Sequence, residues 1–90
     1  MGATAAIKMR QVAANLADIL SIELFCAAQG VDFRAPLATS APLQRVVSCL
    51  RTQVATMGDD RYLAPDLAAA AALIASGALA KAAGLTLPPL

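Results

Sequence analysis

Asp59, Asp60 and Asp66 are the most closely spaced carboxylates of this 90-residue chain. Two carboxyls held at different pKa values can act as general acid and general base. Tyr62 stands in the same stretch, where a phenol serves equally as a proton donor or as an aromatic anchor at an interface. Acids in a loop between helices are ordinarily solvated or cap the helix that follows, and these three are expected to be of that kind. Cys26 and Cys49 lack CxxC spacing and sit among apolar residues, so buried free thiols are expected rather than a redox pair. There is no histidine, Glu23 is the sole glutamate, and no Gly-rich phosphate loop is present. The chain therefore offers no triad, no zinc ligand set and no phosphate cradle, and no catalytic, cofactor-binding or metal residue is assigned to it.

The elements that would have to position any site are helical. From Ala3 to about Gln29 there is no Pro or Gly and many strong helix formers, which predicts one helix of roughly 40 Å, ended by Gly30. Thr4, Lys8, Gln11, Asn15, Asp18 and Gln29 fall in one narrow stripe of it. Apolar residues occupy most of the remaining circumference, so the helix needs neighbours on several sides. Arg10, Ser21 and Glu23 lie outside the stripe and are expected to pair across helix contacts. Residues 31–39 form a connector, after which Ser40 can N-cap a second helix that tolerates Pro42 in its first turn. Leu43, Val46, Val47, Leu50 and Val54 give that helix one apolar face, with Gly58 expected to close it. Pro65, expected at the first helical position, and Asp66 mark the start of a third helix running to about Ser76. Gly77 and Gly84 punctuate the rest, and residues 85–90 are expected to form a short extended tail. No period-two strand pattern and no internal repeat appears. The expected architecture is all-α and a single segment over 1–90: a long core helix over 1–30, then a connector and two or three shorter peripheral helices over 31–90.

Composition points to a part of something larger. Apolar residues make up 59% of the chain and charged ones 14%, where about 25% is usual for a soluble domain, so there is too little charge to cover a solitary globule. The net charge of +1 comes from scattered Lys and Arg without a basic run, which argues against nucleic acid as a partner. Asp18 and Glu23 interrupt the first apolar segment and Lys81 ends the Ala-rich one, so no membrane span is expected. The opening Met1-Gly2-Ala3-Thr4-Ala5-Ala6 has Ala6 where a myristoylation signal wants Ser or Thr. Lys8 and Arg10 lead into a stretch broken by acids rather than a signal peptide. A reducing, cytoplasmic setting is the expectation.

Several runs carry a family resemblance. Met1-Gly2-Ala3, Asn15-Leu16, Ile19-Leu20, Ile22-Glu23-Leu24, Ala27-Ala28-Gln29 and Asp32-Phe33-Arg34 are followed by Leu43-Gln44, Asp60-Arg61, Leu63-Ala64-Pro65-Asp66 and Ser76-Gly77. In this order they resemble the C-terminal section of the aromatic amino acid lyase family, in particular its bacterial histidine ammonia-lyases. Tyr62 departs from the Pro usual there. The resemblance implies a homotetrameric enzyme with a shared central helix bundle, deaminating histidine to trans-urocanate and ammonia. It also implies a methylidene-imidazolone made from an internal Ala-Ser-Gly well upstream of these residues. The choice among histidine, phenylalanine and tyrosine is not written in this segment; its short ending leans toward the histidine enzymes by resemblance.

Ala75-Ser76-Gly77 is itself an Ala-Ser-Gly tripeptide, but it ends an Ala-rich helix and is expected to terminate it rather than to form a cofactor. The segment alone is then expected to be inactive and to serve assembly. Its partners would be the remainder of the parent enzyme and its other subunits, met through Ile7, Val12, Leu16, Ile19, Leu20 and Leu24. The alternative is an independent helical interaction module.

Overall fold

The computed structural model describes residues 2–86. Their order is α1 (Gly2–Phe33), α2 (Ala41–Arg51), α3 (Ala64–Ser76) and α4 (Ala78–Ala82), and helix is the only regular structure among them. The last four residues of the tail expected over 85–90 lie outside the described residues.

α1 is longer than its sequence suggests. It runs through Gly30 to Phe33, where Arg34 N–H bonds Val31 O and Ala35 N–H bonds Asp32 O before Pro36. Gly30 has no positive φ; its helix cost of about 1 kcal/mol is offset by anchors on either side. Gln29 and Asp32 both bond to the segment after α2, so the last turn of α1 is fixed from outside. By length and composition alone α1 is also long and apolar enough to cross a membrane. Asp18 and Glu23 stand along it, and an acid at the centre of a spanning helix costs about 3 kcal/mol. The expectation of no span therefore rests on those charges and not on length.

Ser40 caps α2 as expected, its hydroxyl accepting from Leu43 N–H at 3.4 Å. Gly58 does not close α2. The helix stops at Arg51, where Thr52 Oγ1 donates to Cys49 O at 2.7 Å and Val54 N–H reaches back to Leu50 O. The reason is burial: stopping there turns Val54 into the core, where it and Leu50 are both 0% exposed. Pro65 is the second residue of α3 rather than the first, and Asp66 lies in its first turn. Gly77 ends α3 in the left-handed conformation, φ 77°, with its N–H on Ile74 O. At the end of α4, Leu85 N–H bonds Ala80 O and Gly84 N–H bonds Lys81 O around Gly84 at φ 80°, the paired closure of a Schellman motif.

α1 packs on α3, α2 on α4, and α3 on α4. The core is small: Phe25, Ala28, Leu50, Val54 and Ala70, flanked by Leu24, Met57 and Leu67. All of it lies beside the second half of α1. Residues 2–16 of that helix are exposed throughout, which explains dimensions of 54 × 33 × 18 Å. The radius of gyration, 15.2 Å, exceeds the roughly 12–13 Å of a globule this long.

Candidate functional site

Two features stand out: a strap clamped by side chains after α2, and an apolar face of α1 left open. The strap, residues 54–57, has no regular secondary structure, yet each of its carbonyls is taken by a side chain. Arg51 Nη1 donates to Val54 O (3.2 Å), Arg61 Nη2 to Ala55 O (2.7 Å), Arg61 Nη1 to Thr56 O (3.2 Å) and Gln29 Nε2 to Met57 O (2.9 Å). The two arginines are themselves held. Arg51 pairs with Asp32, which also accepts from Thr56 Oγ1, and Arg61 Nε pairs with Asp66 at 2.9 Å. The planar guanidinium suits this, because its several N–H groups can bind a carboxylate and carbonyls at once. Among the described residues, Arg51 Nε is the side-chain polar atom buried without a partner. A further arginine, Arg45, closes α4 by donating from Nε to Ala82 O at 2.8 Å.

Periodicity places Gln29 and Arg51 on solvated faces, and in the structure both turn to partners elsewhere in the chain. Only the Arg61–Asp66 pair has a local sequence cue, five residues of separation at a helix start. Arg10 and Glu23 are exposed, while Ser21 is buried but pairs within its own helix, donating to Asp18 O at 2.7 Å. The expectation that these groups pair across helix contacts is corrected for Ser21: a serine can satisfy itself on the carbonyl one turn back.

The residues with chemical potential do not converge. Asp66 is spent on Arg61, Asp59 and Asp60 are exposed, and Tyr62 is 74% exposed. No group of three or more His, Cys, Asp or Glu able to hold a metal occurs among the described residues. The thiols are free, but the expected burial is corrected: Cys26 is exposed and Cys49 half-buried, since the core takes Phe25 and Ala28 from that part of α1 and leaves Cys26 facing outward. Ala75-Ser76-Gly77 does not fit an autocatalytic cyclisation. Ser76 Oγ donates to Leu73 O at 3.0 Å and accepts from Ala78 N–H at 3.3 Å, and the Gly77 nitrogen is committed to Ile74 O.

The open face of α1 carries Val12, Leu16, Ile19 and Leu20, all exposed; Ile7 is exposed too, but in line with Phe25 along the helix, in the stretch that the core does not reach. Leu24 differs: it is half-buried against the chain's own core.

A sequence profile of the family described as aromatic amino acid lyase matches residues 1–52. The chain belongs to the aromatic amino acid lyase family. A histidine ammonia-lyase of Bradyrhizobium diazoefficiens is 56% identical over 88 residues, covering 98% of this chain and 17% of that protein. A histidine ammonia-lyase of Roseobacter denitrificans is 51% identical over 80 residues, covering 89% of this chain and 16% of that protein. No solved structure matches the chain at a significant level. This member of the aromatic amino acid lyases thus spans about one sixth of the length of its curated relatives. The family match takes in all of α1 and α2, the two helices joined by the Arg51–Asp32 pair.

Proposed function

We propose that the chain is the structural and assembly segment of an ammonia-lyase that converts L-histidine to trans-urocanate and ammonia. Its partners in this reading are the remainder of the parent enzyme and the other subunits of a homotetramer. The names of its relatives support the reaction. The observation that carries the role is the open face of α1: a row of large apolar side chains on a helix whose opposite side is already packed. Exposed apolar surface on this scale marks an interface. The free thiols suit the reducing cytoplasm in which such an enzyme of histidine catabolism would work.

The segment would contribute no group to the reacting atoms; its work is to hold subunits together through Ile7, Val12, Leu16, Ile19 and Leu20. Purified alone and mixed with histidine, it should give a flat trace at the absorbance of urocanate. In the parent enzyme, Leu16→Asp together with Leu20→Asp should dissociate the oligomer and abolish urocanate formation, since a carboxylate buried without a partner costs several kcal/mol. An active, fully assembled parent carrying both substitutions would overturn the proposal.

A further inference from the structure

The end of α1 and the connector behind it form an open cavity of about 480 Å³, whose lining includes Ala27, Gly30, Val31, Arg34, Leu37 and Thr39. The lining is mostly apolar and holds no carboxylate. Arg34 is exposed and belongs to neither ion pair of the described residues, whereas Arg51 and Arg61 are paired and Arg45 is held by the end of α4. Asp32, the nearest acid in sequence, is spent on Arg51 and Thr56. Carbonyls at a helix C-terminus repel an anion, but here Val31 O and Asp32 O are taken by the N–H groups of Arg34 and Ala35. Gly30 stands on the helical side of the cavity, although glycine weakens a helix. A Cβ at Gly30 would meet nothing within 4 Å, so no contact of the described chain calls for glycine there. Together with Ala27 it leaves a level surface one turn before Arg34.

We infer that this cavity binds a small planar monocarboxylate. The Arg34 guanidinium takes both carboxylate oxygens as a bidentate pair, and the flat body of the ligand lies over Ala27 and Gly30 against Val31 and Leu37. The volume falls within the range of small-molecule sites, and a single charge converging on an apolar lining is their usual composition. A ligand that carries an ammonium beside its carboxylate is disfavoured, because that cation meets Arg34 with no acid in the lining to receive it. The product of the reaction proposed above, trans-urocanate, is a planar monocarboxylate without an ammonium, and histidine is not. The cavity therefore holds product in preference to substrate, away from the reacting atoms, and its occupancy stabilises the segment as product accumulates. The choice of urocanate rests on that proposed reaction; the carboxylate site does not.

Protection from phenylglyoxal, which condenses with free guanidinium groups, tests this on the whole chain and on the parent enzyme, read by peptide mass as the ratio of Arg34 to Arg10 modification. Arg10 is the internal control, exposed on the other half of α1 and outside the cavity. Saturating trans-urocanate should lower that ratio about tenfold, and histidine at the same concentration should leave it unchanged. Gly30→Leu keeps a helix-favouring residue and fills the cavity, so it should remove the protection. An unchanged ratio with trans-urocanate and with benzoate, or protection that survives Gly30→Leu, would overturn the site. Protection by benzoate alone would overturn the link to urocanate while keeping the carboxylate site. A parent enzyme that makes no urocanate yet protects Arg34 would overturn the proposed reaction and not the site. An Arg34 that resists the reagent in the parent enzyme even without ligand would show the cavity filled by protein and would overturn the inference.

Discussion

Gln29 closes a ring of two hydrogen bonds with the backbone of Met57, its Nε2 donating to Met57 O at 2.9 Å and its Oε1 accepting from Met57 N–H at 3.1 Å. This primary amide does for the strap what a neighbouring strand would do in a sheet, and it ties the end of α1 to a segment 28 residues later.

Truncating it should therefore loosen both partners. Gln29→Ala is expected to cost about 1–3 kcal/mol in urea unfolding, the range for leaving half-buried backbone groups unpaired. Gln29→Glu keeps the acceptor but sets a carboxylate against the Met57 carbonyl, so it should rescue little at neutral pH. Wild-type stability in Gln29→Ala would show that the clamp contributes nothing.

The apolar residues of α2 divide by burial although they share one sequence pattern. Leu50 is 0% exposed and Leu43 is 52% exposed. Leu50→Ala should cost about 2–5 kcal/mol, enough to unfold a chain with so small a core, whereas Leu43→Ala should stay within about 0.5 kcal/mol. Equal thermal melts for the two variants would refute the assignment of the core.

Two glycines should respond with opposite sign to the same substitution. Gly77 has φ 77° and Gly30 lies inside α1; a Cβ at either meets nothing within 4 Å, so only backbone conformation distinguishes them. Gly77→Ala should destabilise by about 1–2 kcal/mol, the penalty for a side chain in the left-handed region. Gly30→Ala should stabilise by about 0.5–1 kcal/mol through helix propensity and unfolded-state entropy. Thermal shifts of like sign would contradict this.

The Ala75-Ser76-Gly77 tripeptide should remain unmodified. Its backbone is held in helix-end hydrogen bonds, far from a geometry in which the glycine nitrogen attacks a carbonyl two residues back. Intact mass should equal that of the plain sequence, allowing for loss of Met1, and Ser76→Ala should leave self-association unchanged. A deficit of two waters that vanishes in Ser76→Ala would place cofactor chemistry here after all.

What could be read along the chain was local. The long first helix, Ser40 as a cap, the Pro65-Asp66 helix start and Gly77 as a terminator are all legible because each depends on residues within one turn of itself. The family resemblance is legible for a related reason, since it lies in short ordered runs. Tertiary structure decided the remainder. α1 continues through Gly30, and α2 stops before Val54, because distant partners outweigh local propensity by a few kcal/mol: Gln29 with Met57, Arg51 with Asp32, Val54 with the core. Nothing within a turn of Gln29 distinguishes it from the exposed Gln11 of the same stripe, since its partner is 28 residues away. Likewise Leu16 and Leu24 are equivalent as apolar helix positions. Only the placement of α3 and the strap buries one side of α1, Leu24 included, and leaves the side that carries Leu16 exposed.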